Sequence, residues 1–157
     1  MPCEKHPTLP TYLTWYAKRS GLGGAKATPY IAWNIEMAQQ KGYPKEFNKV
    51  DEATYTKNRN AVTIPLGSAG KSDTGEKLSW DEYPFASTDA GGIRPREVVD
   101  PFGTKNLPDQ GAPGAHVMRV PLYNENCSQG GCLGDFYDKN NIQTSSPFAA
   151  TVCGIRR

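Results

Sequence analysis

Residues 80–88 read WDEYPFAST, with two consecutive carboxylates, Asp81 and Glu82, ahead of a Tyr-Pro-Phe wedge. The fold turns on how this stretch is read. A residue preceding proline is pushed away from helical dihedrals, so Tyr83 before Pro84 makes DEYP extended or turn-like. On a strand Asp81 and Glu82 would leave opposite faces, whereas in a turn both could approach one site. Spacing alone favours an exposed acidic turn. The alternative is that one carboxylate does work other enzymes give to histidine, in a chain with only two histidines, His6 and His116.

Upstream, TPYIAWNIEMAQQKGYP predicts a core helix, with Thr28 as cap, Pro29 at the first helical position and Gly42 with Pro44 ending it. Tyr30, Ile31, Ile35 and Ala38 share a helical face, with Trp33 and Met37 on an adjoining strip. DEATYTKNRNAV predicts a second helix, acidic at its start (Asp51, Glu52) and basic late (Lys57, Arg59), the order that suits the helix dipole. TIPLGSAGKSDTGEKLS reads as a loop. Its GSAGKS lacks the first glycine of a phosphate-binding loop, because that position is Pro65.

Downstream, DAGGIRPREVVDPFGTKNLPDQGAPGA is a long excursion punctuated by Gly and Pro. HVMRVPLY alternates as a strand, with Val117 and Arg119 on one face and Met118 and Val120 on the other. NENCSQGGCLGDFYDKN reads as a turn into a glycine-loosened helix, and SPFAATVCGI as a final strand. The expected fold is α+β, a small antiparallel sheet with helices. Residues 1–157 fit one monomeric domain with an N-terminal arm over 1–27, since domains commonly hold about 100–150 residues.

Eighteen Lys and Arg against 16 Asp and Glu leave a net charge of +2, so the chain does not grip nucleic acid by bulk charge. No apolar run reaches the ~18 residues of a membrane span. The start MPCEKHPTLP does not read as a signal peptide, which leaves a cytosolic chain or a mature secreted form carrying Met1. Cys3, Cys127, Cys132 and Cys153 leave zinc, free thiols and two disulfides open, and a small loop-rich chain favours disulfides. The preferred pairing is Cys127 with Cys132 and Cys3 with Cys153.

Asn124-Glu125-Asn126 offers oxygen ligands of the kind Mg²⁺ takes one or two at a time, although taken alone an Asx turn or helix cap accounts for it better. His6 and His116 read as structural or merely exposed. No G-x-S-x-G elbow or H-E-x-x-H helix is present, so serine-hydrolase and zinc-protease readings fall away.

With these residues in view, WDEYPFASTDAGG resembles the signature of the NucA/NucB-type secreted deoxyribonucleases, an Asp-Glu-(Tyr or Trp)-Pro block followed by Ala and then Gly-Gly. GAHVMRVPLYNENCSQGG is similar to that family's strand leading into an acidic residue plus Asn and a Gly-containing helix. KGYPKEFNKVDEATYTKNRNAV is similar to its Gly-x-Pro turn and Asn-Arg pair. The likeness runs over about residues 31–152.

The resemblance implies a beta-beta-alpha-metal core and a secreted, metal-dependent, non-specific endonuclease acting on DNA, with RNA as a second substrate. It implies Asp81 as general base in place of histidine, walled by Tyr83 and Phe85. Asn126 is implied as ligand to Mg²⁺ or Mn²⁺, with Glu82 and Glu125 holding metal-bound water or positioning Asp81. Arg59 becomes a candidate phosphate clamp, and Gln129 and Asp135 candidates behind the metal. Lys71, Lys77, Arg94, Arg96, Lys105 and Arg119 are candidate groove residues. A non-catalytic effector or nucleic-acid-binding module is the alternative, and a toxin-domain reading adds an inhibitor or immunity protein as partner. Relatives often carry Cys directly before the Asp-Glu pair, and bacterial ones an Arg; here Ser79-Trp80 stands there.

Overall fold

The computed structural model describes residues 12–16, 29–103, 114–122, 133–134 and 136–153. In chain order these hold β1 (Tyr12–Tyr16), α1 (Pro29–Gln40), β2 (Glu46–Asn48), α2 (Glu52–Leu66), β3 (Leu78–Tyr83), β4 (Pro95–Val99), β5 (Ala115–Pro121) and β6 (Pro147–Cys153). A short helical stretch at 136–139 lies between β5 and β6.

The α+β class holds, but the sheets are mixed rather than antiparallel. One sheet has the order β1-β6-β2 and the other β3-β5-β4. In the first, β2 runs antiparallel and β1 parallel to β6. In the second, β3 runs antiparallel and β4 parallel to β5. Two strands hid in segments read as arm or loop: β1 within the N-terminal arm, and β4 inside the Gly/Pro-rich excursion. β4 opens on Pro95, tolerated at a strand's first residue, and lies at the sheet edge.

The helix α1 buries Ile31, Ala32, Asn34, Ile35 and Ala38, an i, i+1, i+3, i+4, i+7 face that repeats every turn. It closes on Gly42 at φ 90°, where the Tyr43 N–H donates to Ala38 O and the Gly42 N–H to Gln39 O. The helix α2 is capped by Asp51, whose Oδ1 accepts from the Thr54 N–H at 2.8 Å. It runs past the expected end at Val62 to Leu66, because Pro65 falls in the last turn and Gly67 at φ 72° terminates the helix.

The sheet β3-β5-β4 carries a core on each face. Tyr83, Met118 and Val120 join α1 side chains, Phe47, Phe136, Tyr137 and Phe148 in one cluster. Trp80, Leu78, Val98, Ala115 and Val117 join Val62 and Leu66 of α2 in the other. Being covered on both faces and both edges, β5 is buried throughout, so its two faces follow the predicted alternation without showing a polar side.

Candidate active site

Because β3 is a strand through Tyr83, the two carboxylates separate. Asp81 points with Tyr83 toward α1, and Glu82 points with Trp80 toward α2. Both are buried, Asp81 at 1% and Glu82 at 5% exposure, so the exposed acidic turn is excluded.

On the α1 face the Asn34 side chain is the hub. Its Nδ2 donates to Asp81 Oδ2 at 2.9 Å, to Asp81 O at 3.2 Å and to His116 O at 3.4 Å. Its Oδ1 meets His116 Nδ1 at 2.5 Å. The other ring nitrogen, Nε2, lies 3.6 Å from Glu97 Oε2, and Lys41 is ion-paired with that same carboxylate. This geometry follows from register: Tyr83 faces His116 across β3 and β5, and Glu97 faces His116 across β4 and β5. Burial, reinforced by Lys41 and opposed by Glu97, pushes the His116 imidazole down to about 4. It is therefore neutral at pH 7, and it is fully buried rather than exposed.

Tyr83 and Phe85 do form the expected apolar wall. They meet edge to face with centroids 5.3 Å apart, and Phe47 packs on both. The Tyr83 hydroxyl donates to Pro44 O at 2.6 Å and accepts from Gln39 Nε2 at 2.9 Å, anchoring the end of β3 to the end of α1.

On the α2 face Arg59 Nη1 donates to Glu82 Oε1 at 2.8 Å and to Trp80 O at 3.3 Å. Burial raises the Glu82 carboxyl above its usual range, and Arg59 offsets part of that rise. Burial works against the Arg59 charge, but Glu82, with smaller help from Tyr55 and Asp81, raises the guanidinium's proton affinity overall.

One residue earlier on α2, Asn58 Nδ2 donates to Ala86 O at 3.0 Å and Thr88 O at 3.2 Å. The Asn-Arg pair thus clamps the DEYPFAST segment at two points. The glycines that follow are fixed by the same packing. A Cβ on Gly91 would stand 2.3 Å from Phe85 O, and Gly92, at φ 75°, would place one 2.1 Å from Asn58 Oδ1.

Trp80, in the position where relatives carry Cys, is buried on the α2 face and donates from Nε1 to Gly67 O at 2.9 Å. It therefore lies on the face of β3 opposite Asp81, whose own face is covered by α1. Arg119 is also on the α2 face, with Nε donating to Asp100 Oδ1 at 2.9 Å and Nη1 to Ala69 O at 3.0 Å. Lys71 and Lys77 pair as an isolated β-bridge, and Arg94 is exposed ahead of β4. Arg96 lies in β4.

Glu125, Asn126, Gln129, Asp135, Lys105, Cys3, Cys127 and Cys132 lie outside the described residues, as does the Cys153 side chain. Among the described residues no group of three or more His, Cys, Asp or Glu is arranged to hold a metal ion, and no helix is long and apolar enough to cross a membrane. Sequence reasoning missed Asn34, met Asn58 only as part of the Asn-Arg pair, and read His116 as structural or merely exposed. The available signal for Asn34 was a polar side chain on the apolar face of α1, flanked by Ile31 and Ile35.

The fold and this geometry define an α+β protein with a buried carboxylate held on a strand by a neutral amide-imidazole pair. Residues 33–151, more than half of the chain, match the family Deoxyribonuclease NucA/NucB, and the chain belongs to that family. No curated protein matches it.

Proposed function

We propose that the chain is a secreted, metal-dependent endonuclease that hydrolyses DNA phosphodiester bonds without strong sequence preference, with Asp81 as the general base. Family membership supports a deoxyribonuclease. The observation that carries the assignment of the base is the 2.9 Å bond from Asn34 to Asp81 Oδ2, which holds the carboxylate on the β3 face. The cluster on that face also contains Phe136 and Tyr137 from the chain after β5. In this reading antiparallel β3 and β5, with the helical stretch at 136–139 after them, form the beta-beta-alpha-metal core that the family resemblance implies.

Asp81 would take the proton of the attacking water, a role worth about 10²–10⁴ in rate. Arg59 supports the adjacent residue first, through Glu82 and Trp80 O. Its side chain is 31% exposed, which leaves an edge for a phosphate oxygen. Asn126 with Glu125 would hold the divalent cation, Mg²⁺ or Mn²⁺, and their oxygen donors suit a hard ion. Bound there, the cation would neutralise charge developing on the phosphate. RNA is a second substrate to test, and an inhibitor or immunity protein is a partner to seek.

The test is plasmid DNA incubated with the oxidised protein and Mg²⁺ or Mn²⁺, with and without EDTA, beside Asp81→Ala. Cleavage that needs metal and Asp81 is expected. Cleavage persisting in Asp81→Ala overturns the base. One observation favours a non-catalytic nucleic-acid-binding module, the 1% exposure of Asp81, and absence of cleavage under every condition would select that reading.

A further inference from the structure

The hydrogen bonds around Asn34 fix more than its own orientation. Three of its contacts, Asp81 Oδ2, Asp81 O and His116 O, are to acceptors, so the nitrogen of the amide must lie on that side. The amide oxygen then faces His116 Nδ1, which must carry the proton. Burial keeps the ring neutral, so its second nitrogen, Nε2, bears the lone pair. The one available arrangement is a chain that runs from a neutral Nδ1–H imidazole through an amide to the carboxylate.

We infer that Asn34 and His116 are positioning residues for Asp81: His116 holds the Asn34 amide, and Asn34 sets the plane of the Asp81 carboxylate through Oδ2. This rests on Asp81 being the base. Buried at 0% exposure, the pair touches no solvent. A buried amide-imidazole pair between α1 and β5 costs desolvation that Leu and Phe would not. Here the two act in series, His116 on the Asn34 amide and Asn34 on the Asp81 carboxylate. The charged and titratable groups about it are His116 from β5, Glu82 and Arg59 across the strand, and Glu97 with Lys41 behind the imidazole.

Two measurements test this, one of them independent of cleavage. The chain has two histidines, so ¹⁵N spectra of the imidazoles are assigned by comparison with His116→Asn. At pH 7 His116 should be the Nδ1–H tautomer, and Asn34→Leu should release it to the commoner Nε2–H form. An Nε2–H tautomer in the unaltered protein overturns the inference whether or not the protein cuts DNA.

In kinetics on duplex DNA, His116→Leu should lower kcat at least tenfold with KM changed less than threefold. His116→Asn, which returns an amide N–H near the position of Nδ1–H, should recover most of that loss. Asn34→Asp keeps an acceptor for His116 but sets a second carboxylate beside Asp81. It should move the acid limb of the kcat profile to higher pH by about one pH unit or more, because two adjacent carboxylates share a proton. A merely structural role would lower thermal stability in these variants with kcat, its pH limb and the tautomer unmoved, and that result overturns the inference. If Asn34→Asp does not accumulate folded, the His116 pair and the tautomer decide. Loss of all cleavage in the unaltered protein instead defeats the nuclease reading and leaves the tautomer result standing.

Discussion

Asn34 donates through one nitrogen to both the carboxylate and the backbone carbonyl of Asp81, at 2.9 and 3.2 Å. The helix α1 thereby fixes the strand and its buried carboxylate with one side chain. Glu82, the next residue, has no share in this. Its partner is Arg59 on the other helix, across the thickness of the sheet.

The separation of the pair predicts unequal consequences. Asp81→Asn, which removes the proposed base but keeps the shape, should lower cleavage by about 10²–10⁴. Glu82→Gln retains an acceptor for Arg59 and should cost less than about tenfold. Initial rates of plasmid nicking for the two variants measure this, and equal losses would mean the site is reached from the α2 face.

Removing Arg59 should show on stability. Arg59→Met strands a buried carboxylate, a loss of about 3–5 kcal/mol for a fully buried pair. With the guanidinium side chain 31% exposed and partly screened, about 1–3 kcal/mol is expected at pH 7. Glu82 has a raised folded pKa, so its favourable contribution is complete below the unfolded value of 4.5 and is lost as pH rises through the folded one. The Arg59→Met deficit should therefore shrink as pH falls through that raised folded value, and be smallest below 4.5. Denaturant unfolding at pH 7 and pH 4 measures the difference, and a deficit independent of pH would exclude Glu82 as its source.

Much of the chain was legible because local rules and tertiary packing agreed. α1 carried a proline start, a glycine stop and an apolar face, and α2 acidic residues at its start with basic ones late. In sequence β3 reads as either turn or strand, because two adjacent carboxylates mark exposure unless something buries them. Asn34 and Arg59, 47 and 23 residues away in sequence, are what bury them. β1 and β4 were missed since a parallel edge strand is defined by its partner: β1 by β6 at the far end of the chain, β4 by β5. His116 was passed over for a similar reason, as nothing near it in sequence announces Asn34 or Glu97.

His116 should make the protein acid-sensitive. Its pKa falls from 6.5 unfolded to about 4 folded, so its contribution is present above 6.5 and is lost as pH falls through about 4. That gap is worth on the order of 3 kcal/mol. Glu82 acts in the opposite direction, so the informative quantity is the difference from His116→Asn, which lacks the titration. The unaltered protein should lose stability relative to that variant between pH 6.5 and pH 4, followed by thermal melts. A constant difference across that range would show that the imidazole is not held neutral by burial.

The glycines after the carboxylate block should be intolerant for two separable reasons. Gly91 has no room: its Cβ would sit 2.3 Å from the Phe85 carbonyl oxygen, which is backbone and cannot rotate aside. Gly92 has an unfavourable conformation for any other residue, at φ 75°, and its Cβ would meet Asn58 Oδ1 at 2.1 Å. Asn58 is the side chain that holds Ala86 O and Thr88 O. Gly91→Ala should therefore push the segment after Pro84 outward, costing about 2–4 kcal/mol as an overpacked core does at its upper end. Gly92→Ala should cost about 1–3 kcal/mol from strain and the displaced Asn58. Asn58→Ala removes the obstructing side chain, so Gly92→Ala should be milder in the Asn58→Ala background than alone, by about 0.5 kcal/mol or more. Gly91→Ala should show no such relief. Chemical denaturation of the two double-mutant cycles measures the coupling, and additivity at Gly92 would mean that Asn58 does not meet its added methyl.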